Sequence, residues 1–186
     1  MISLLCPLGD GPDLVFSRER RSDPTRKEID PSRRRAPGPF FWALFLALFL
    51  LDQGTKAAIL RCGEHFSLSV IPGLLNFVSV RNTGIVFGLF SGRNWLWIGV
   101  GAAFFLVGFW VSRRLDWRPR ETNVIAALLA AGAAGNVNDR ILHGFVVDFI
   151  DVYVGSWHWP SFNVADSCLC LACLWMIFRF GLAPVR

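Results

Sequence analysis

Long apolar stretches constrain this chain more than any other feature of its sequence. Residues 40–51 are an unbroken apolar run that continues through "DQGTKAAIL", and at ~1.5 Å per residue about 21 helical residues cross a ~30 Å hydrocarbon core. Residues 95–111 form a second apolar stretch, 122–142 a third that is rich in Ala and Gly, and 164–180 a fourth. We predict an α-helical integral membrane protein with helices at about 40–60, 95–112, 122–142 and 164–180.

The distribution of charge predicts the side of the membrane on which each segment lies. Only 18% of the residues are charged while 53% are hydrophobic, and 14 of the 19 Lys and Arg residues fall in segments 1–39, 113–120 and 179–186. An even number of spans places these segments on one side, which the positive-inside rule makes the cytoplasm. We therefore expect both termini in the cytoplasm and segments 62–94 and 143–163 outside. The net charge of +5 then reflects topology and not nucleic-acid binding.

Residues 1–39 differ from the rest of the chain, because they combine several Pro residues and mixed charge with little apolar periodicity. Such a composition predicts a disordered basic cytoplasmic extension, followed by one membrane domain over 40–186. The first membrane helix is expected to serve as an uncleaved targeting signal. Three of the five cysteines, Cys168, Cys170 and Cys173, fall in the fourth span and are predicted to be small packing residues.

The two segments between spans that face away from the basic side carry strand patterns. In "HFSLSV", Phe66, Leu68 and Val70 alternate with serine, and "IPG" predicts a turn before a second strand at "LLNFVSV". The other segment is strand-like at "FVVDFIDVYV" and rich in aromatic residues, which suit the headgroup region. We predict a small β-sheet on the outer membrane surface.

Ionisable residues inside membrane spans are costly and indicate function by default. Asp52 lies beyond the middle of the first helix, and Lys56 follows it at i+4, so the two can pair. Asp139 and Arg140 end the third helix, where each is expected to bond to a different partner. For these residues a structural ion pair and a functional role are equally compatible with the sequence.

Two aspartates lie in apolar surroundings at the same outer edge of the membrane. Asp148 is flanked by Val and Phe, and Asp166 opens the fourth helix after "FNVA". Two nearby carboxylates in an apolar site share one proton, and such a pair holds a base and an acid together. The structural alternatives are a solvated loop acid for Asp148 and a first-turn helix acid for Asp166. Asp151 is expected at the surface or at a strand edge.

Five sequence blocks together resemble the bacterial lipoprotein signal peptidase family, signal peptidase II. They are "DQGTK" in the first helix, "NTGIVFG" at 82–88, "GNVNDR" at 135–140, "VVDFID" at 146–151 and "FNVAD" at 162–166. All five occur in the family's order, and the resemblance covers about residues 40–180. It implies an intramembrane aspartyl protease with four membrane helices and a small periplasmic β-cradle. It also implies a multi-pass protein of the bacterial inner membrane with its active site near the periplasmic face.

The resemblance also implies roles for individual residues. The catalytic aspartates would be Asp148 and Asp166, and the enzyme would cleave prolipoproteins just before a cysteine that already carries diacylglycerol. Matching positions assign substrate binding, support of the catalytic pair, or importance for activity or stability to Asn82, Gly84, Asn136, Arg140, Asn163, Asp52, Lys56 and Asp139. No metal and no cofactor are expected, and we expect a monomer whose partners are prolipoproteins and membrane lipids.

One block departs from the family pattern, because Ile85 and Val86 stand where the family usually has two alanines. Larger side chains there would narrow the groove beside the aspartates and change substrate preference. A non-enzyme alternative is a four-helix transporter subunit that relays protons or cations through Asp52, Asp139, Asp148 and Asp166. It predicts acids spread through the bilayer depth, whereas the second span has no ionisable residue.

Overall fold

The computed structural model describes residues 36–84 and 92–181. Most of the predicted cytoplasmic extension lies outside the described residues. Within these two ranges, four α-helices and four β-strands alternate in groups: α1 (Pro39–Arg61), β1 (Ser67–Ile71), β2 (Leu75–Asn82), α2 (Asn94–Ser112), α3 (Arg120–His143), β3 (Val146–Val154), β4 (Trp157–His158) and α4 (Val164–Met176). A π-helical turn at Ile177–Gly181 continues from α4. The predicted class, helical with a small antiparallel sheet, is confirmed.

Two helices of the described part of the chain, α1 and α2, are long and apolar enough to cross a membrane. Helix α3 carries charged residues near both ends, and the α-helical part of α4 has only 13 residues. The four crossings predicted from the sequence therefore stay a prediction.

Helix α3 lies at the centre of the helical region and contacts the other three helices. Its Ala and Gly residues permit this, because small side chains let helix backbones approach closely. Gly135 is an example, since a Cβ atom there would collide with the Asp52 side chain of α1. One buried cluster joins α3 to α4 through Ile125, Leu128, Cys168 and Ala172. Cys168 is therefore a core residue, as predicted, whereas Cys170 and Cys173, for which the same packing role was predicted, are exposed on α4.

The four strands form one antiparallel sheet in the order β1-β2-β3-β4. The alternation of apolar and polar residues that predicted β1, and the turn that predicted a second strand after it, both correspond to strands of this sheet. The β2–β3 register is interrupted between Phe77 and Val80, after which Val80 lies opposite Asp148 and Asn82 opposite Val146. Asn82 therefore lies at the end of β2 near the start of β3.

The sheet is attached to the helices through β3. Helix α3 ends at His143 and is capped by Gly144, whose φ of 81° is in the left-handed region that glycine adopts easily, and β3 begins two residues after this glycine. Val147 and Phe149 of β3 are buried against Ile59 of α1. This short connection and this apolar contact hold Asp148, which lies between Val147 and Phe149, at the boundary between the sheet and the helices.

Candidate active site

The Asp148 carboxyl group is buried at this boundary and bound by two amides. The residue is 2% exposed. Its Oδ2 accepts a hydrogen bond from Asn82 Nδ2 at 2.8 Å, and its Oδ1 accepts one from Asn163 Nδ2 at 2.8 Å. Both donors are neutral, so they solvate the carboxyl group without supplying an opposite charge. The sequence alternative of a solvated loop acid is excluded by this burial.

Asp166 lies in the first turn of α4 and caps that helix together with Asn163. The Asn163 side chain accepts a hydrogen bond from the Asp166 backbone N–H at 2.9 Å, and Asp166 Oδ2 accepts one from the Asn163 backbone N–H at 3.3 Å. This reciprocal arrangement is a capping box. The second carboxylate oxygen, Oδ1, accepts a bond from Asn136 Nδ2 at 2.7 Å. Asp166 is thus the first-turn helix acid that the sequence left open, and its other oxygen is bound to Asn136 of α3.

Asn136 and Asn163 join the surroundings of the two acids. The Asn163 side chain bonds to Asp148, and it also donates to Asn136 Oδ1 at 3.3 Å. Burial first, and then the negative charge of Asp166, raise the pKa of the Asp148 carboxyl to about 7, while the amides of Asn82 and Asn163 partly oppose this shift. A carboxyl group with that pKa is able to hold or release a proton near neutral pH.

Arg140 secures the backbone that approaches Asp148 from β2. Its Nη2 donates to the Gly84 carbonyl at 3.0 Å, and its Nη1 donates to the Asn136 carbonyl at 3.2 Å. The Gly84 N–H in turn donates to Asn82 Oδ1 at 2.9 Å, which orients the Asn82 amide toward Asp148. As expected, Arg140 bonds to a different set of partners from its neighbour Asp139.

Both acids line one groove of about 1280 Å³. One end of its wall is polar and includes Asn82, Asn136 and Arg140. The rest is largely apolar and comes from α2, α3 and α4, through Trp97, Val100, Phe104, Val137, Leu169 and Leu171. The arrangement suits a substrate with a polar group to be cleaved and long apolar parts. Ile85 and Val86, whose effect on this groove we predicted, lie outside the described residues.

Asp52, Lys56 and Asp139 form a buried group beneath the acids, and each residue is at most 2% exposed. Lys56 Nζ lies 2.8 Å from Asp52 and 3.0 Å from Asp139, so the predicted pair within α1 is extended by a third residue from α3. Lys56 also donates to Asn136 Oδ1 at 3.2 Å, which links this group to the partner of Asp166. The structure thus brings all ten predicted site residues into one set of contacts.

Two residues that the sequence analysis did not single out belong to the same group. Gln53 Nε2 donates to Asp52 Oδ2 at 3.0 Å and to Asp139 Oδ1 at 3.1 Å, and its Oε1 accepts from Asn138 Nδ2 at 2.7 Å. The available signal was an amide inside an apolar span, because such a group needs a partner there. Gln53 lies within "DQGTK" and Asn138 within "GNVNDR", blocks that we had already noted.

Asp151 was expected at the surface or at a strand edge, and the first of these positions is wrong. Asp151 is 6% exposed and accepts hydrogen bonds from Asn76 Nδ2 at 3.2 Å and from His158 Nδ1, when that nitrogen is protonated, at 2.8 Å. The physical reason is that Asn76 faces it across the β2–β3 ladder and the β3–β4 hairpin brings His158 over it. His158 itself is half-exposed and stacks on Tyr153.

Comparison with known proteins assigns this fold and site to a family. Residues 44–182 match the family model described as signal peptidase (SPase) II. The chain is 42% identical over 147 residues to a lipoprotein signal peptidase of Xylella fastidiosa (strain M12), covering 74% of this chain and 86% of that protein. It is 43% identical over 147 residues to a lipoprotein signal peptidase of Xanthomonas oryzae pv. oryzae (strain PXO99A), with 74% and 87% covered.

The fold also matches solved structures. Two chains described as bacterial membrane enzyme structures determined by the in meso method have TM-scores of 0.73 and 0.72, each with 29% sequence identity. The first match covers 80% of this chain and 92% of that chain, and the second covers 83% and 99%. With a family model that spans most of the sequence and relatives above 40% identity, the chain belongs to the signal peptidase II family.

Proposed function

We propose that this chain removes signal peptides from diacylglyceryl-modified prolipoproteins, using Asp148 and Asp166 as a catalytic aspartyl pair. Membership of the signal peptidase II family makes the chain a protease that processes prolipoproteins. The comparisons give no support to the transporter alternative. The observation that carries the assignment of the pair is that both carboxyl groups line one groove and are joined through Asn163 and Asn136.

The chemistry follows from one proton shared between two acids. The ionised carboxyl group takes a proton from a water molecule, whose oxygen attacks the carbonyl carbon of the peptide bond before the lipid-modified cysteine. The protonated carboxyl group gives its proton to the departing amine as the C–N bond breaks. The products are a signal peptide with a free carboxylate and a lipoprotein with cysteine at its N-terminus. The pKa of Asp148, raised to about 7, lets this carboxyl group hold or release a proton near neutral pH. Because the pair shares one proton, we propose that Asp148 carries it as the acid and that Asp166 is the base at the start of the cycle.

The groove explains how a lipid-modified substrate reaches the pair. Its apolar wall is formed by side chains of α2 and α4 such as Phe104 and Leu171, and Phe104 and Leu171 are 39% and 57% exposed. Acyl chains and the apolar part of a signal peptide gain free energy in such surroundings. The peptide bond itself meets the polar end, where the Asn82 and Arg140 side chains are grouped. We propose that substrate arrives sideways from the membrane.

The membrane arrangement is part of the same proposal. We infer four crossings, with both termini in the cytoplasm and the β-sheet and the site at the outer face of the inner membrane, from the distribution of Lys and Arg. We also propose that the enzyme acts as a monomer, because both acids and their partners come from one chain. A reporter fused after Arg186 should be active only in the cytoplasm, and activity only outside would contradict the topology.

The activity is tested with purified protein and two forms of one prolipoprotein, with and without diacylglycerol on the cysteine. We expect the lipid-modified form to lose the mass of its signal peptide and the unmodified form to stay intact. Chelators should leave the rate unchanged, because the proposed steps involve two carboxyl groups and water. Cleavage of both forms at equal rates, or inactivation by chelation with recovery on adding zinc, would contradict the proposal.

A further inference from the structure

The buried group beneath the acids is built around two carboxylates that share two binding partners. Asp52 and Asp139 each bind Lys56, at 2.8 Å and 3.0 Å, and each accepts a hydrogen bond from Gln53 Nε2, at 3.0 Å and 3.1 Å. Two buried carboxylates repel each other unless a cation and donors lie between them. Lys56 and Gln53 supply that charge and those donors, and they therefore fix the separation of Asp52 and Asp139.

The first of these carboxylates also holds the segment that carries one acid of the pair. Asp52 Oδ1 accepts a hydrogen bond from the Ala165 backbone N–H at 2.8 Å. Ala165 directly precedes Asp166 and is 1% exposed. A charged acceptor on a buried N–H makes a strong and directional bond. The position of Asp52 therefore sets the position of the first turn of α4 and of the Asp166 backbone.

The second carboxylate, that of Asp139, holds the segment that carries the other acid, Asp148. Asp139 Oδ2 accepts a hydrogen bond from the Val147 backbone N–H at 3.1 Å. Val147 directly precedes Asp148 and is 1% exposed. The group thus reaches both acids in one manner, through the backbone amide one residue before each.

The orientation of the Gln53 amide is fixed by its surroundings. Its Oε1 accepts from Asn138 Nδ2 at 2.7 Å, while Nε2 faces the two carboxylates and the Gly135 carbonyl at 3.3 Å, and all of these oxygens only accept hydrogen bonds. Gln53 comes from α1, whereas Asp139 and Asn138 come from α3. It does not line the groove, so it acts only through the residues that it binds.

We propose that Gln53, together with Lys56, is a positioning residue that sets the separation of the two catalytic carboxyl groups by tying Asp52 to Asp139. This inference rests on the proposed function, since it takes Asp148 and Asp166 as the catalytic pair. A displacement of about 1 Å in a reacting group lowers rates by about 100-fold. Loss of the tie should therefore lower kcat, while substrate binding in the groove stays intact.

The test uses the full chain with Gln53→Met, which keeps the length of the side chain but removes its donors. We expect kcat to fall about tenfold to a hundredfold and KM to stay within about twofold of the parent value. Thr55→Val is the matched control on the same helix, because the Thr55 hydroxyl bonds to the carbonyls of Leu51 and Asp52 in its own helix. Its kcat should equal that of the parent.

Gln53→Glu gives a readout that a purely structural role would not change. When the introduced carboxyl group is protonated, it retains a donor toward one carboxylate and an acceptor for Asn138, and when it is ionised, it repels both Asp52 and Asp139. The ratio of the rate of this variant to the parent rate should therefore increase as pH falls, whereas the same ratio for Gln53→Met should not depend on pH. If Gln53→Met does not fold, the test of the positioning role is the pH dependence of the Gln53→Glu rate relative to the parent rate.

The inference is overturned if folded Gln53→Met has the parent kcat, or if both ratios are independent of pH. A failure of the catalytic assignment is distinguished in the same assay by Asp148→Asn and Asp166→Asn. If those variants cleave prolipoprotein at the parent rate, the assignment of the pair is wrong whatever the Gln53 variants do. If they are inactive while Gln53→Met is unaffected, the pair stands and only the positioning role fails.

Discussion

Asp148 and Asp151 lie three residues apart on the same strand and differ little in burial, at 2% and 6% exposed. Each accepts a hydrogen bond from an asparagine of β2, Asn82 in the first case and Asn76 in the second. The second partner differs, because Asp151 bonds to a histidine that is able to carry positive charge, whereas Asp148 bonds to another neutral amide. Burial alone therefore does not identify a catalytic acid.

Asp148 and Asp151 also differ in what surrounds them beyond hydrogen-bonding distance. Asp148 lines the large groove together with a second acid, whose charge helps to raise the pKa of Asp148 to about 7. Asp151 does not line this groove; it lines an adjoining cavity of about 460 Å³ with His158, and the two cavities share Trp159, Pro160 and Ser161. Under the proposed function, the reactive acid is the one that has a like charge near it and lines the groove that substrate would enter.

The largest expected effect separates the two acids directly. Asp148→Asn should lower the cleavage rate by about 10³-fold or more, because asparagine neither donates an acidic proton nor accepts one. Asp151→Asn should stay within about fivefold of the parent, because asparagine preserves most of its contacts. Initial rates on a lipid-modified prolipoprotein measure both. Similar losses in the two variants, with both correctly folded, would contradict the distinction between them.

The two β2 asparagines offer a matched pair for the next test. Asn82→Ala removes a donor to a reactive carboxyl group, and we expect a loss of about 10- to 100-fold, as for a hydrogen bond to a charged group. Because the Asn82 amide lowers the pKa of Asp148, the alkaline limit of activity should also move to higher pH. Asn76→Ala should change the rate by less than about twofold and should leave the alkaline limit of activity where it is. A shift of this limit to lower pH in Asn82→Ala would refute the role of Asn82 as a donor to Asp148.

The pH dependence of the parent enzyme tests the role of Asp148 as the proton donor. The active form of the pair carries one proton, and Asp148 loses it as pH rises through about 7. The rate should therefore be greatest below this value and fall about tenfold per pH unit well above it. The measured value belongs to the pair and not to one residue. A rate that increases steadily between pH 7 and 9 would contradict this role.

The smallest expected effect concerns His158, the histidine that binds Asp151. His158→Gln keeps a hydrogen-bonding side chain beside Asp151 but removes the charge that histidine is able to carry. Since the histidine is half-exposed, the free energy of unfolding should fall by less than about 1 kcal/mol. Cleavage should be unchanged. Thermal unfolding in detergent measures the change in stability. A loss of activity without a loss of stability would show that the cavity lined by Asp151 and His158 takes part in catalysis.

Much of the fold was predictable because its signals are local. Long apolar runs predicted the helices, and the alternation of residues in "HFSLSV" predicted strand β1 and the small sheet. The register shift between Phe77 and Val80 was not predictable, because it depends on how β2 meets β3 and not on either strand alone. The change from α-helix to π-helix after Met176 was not predictable either, because the apolar run at 164–180 continues across it without a break.

In the site, too, local features were predictable from the sequence, and features that depend on distant contacts were not. Asp148 and Asp166 stood out because each is an acid in apolar surroundings, and family motifs then pointed to their partners. Gln53 was missed because it follows Asp52 within a helix, and its partners on α3 lie more than eighty residues away. Asp151 was misplaced for a similar reason, because the residue that pairs with it arrives through a hairpin whose geometry the sequence does not specify.

The most direct test of the central claim, that the two acids act as one unit, compares Asp148→Asn, Asp166→Asn and the double variant on one lipid-modified prolipoprotein. Each acid is needed for the same proton transfers, so removing the second should cost little once the first is gone. We predict residual rates for all three that agree within about fivefold and lie about 10³-fold or more below the parent. A double variant whose loss equals the product of the two single losses, or either single variant near the parent rate, would contradict the account.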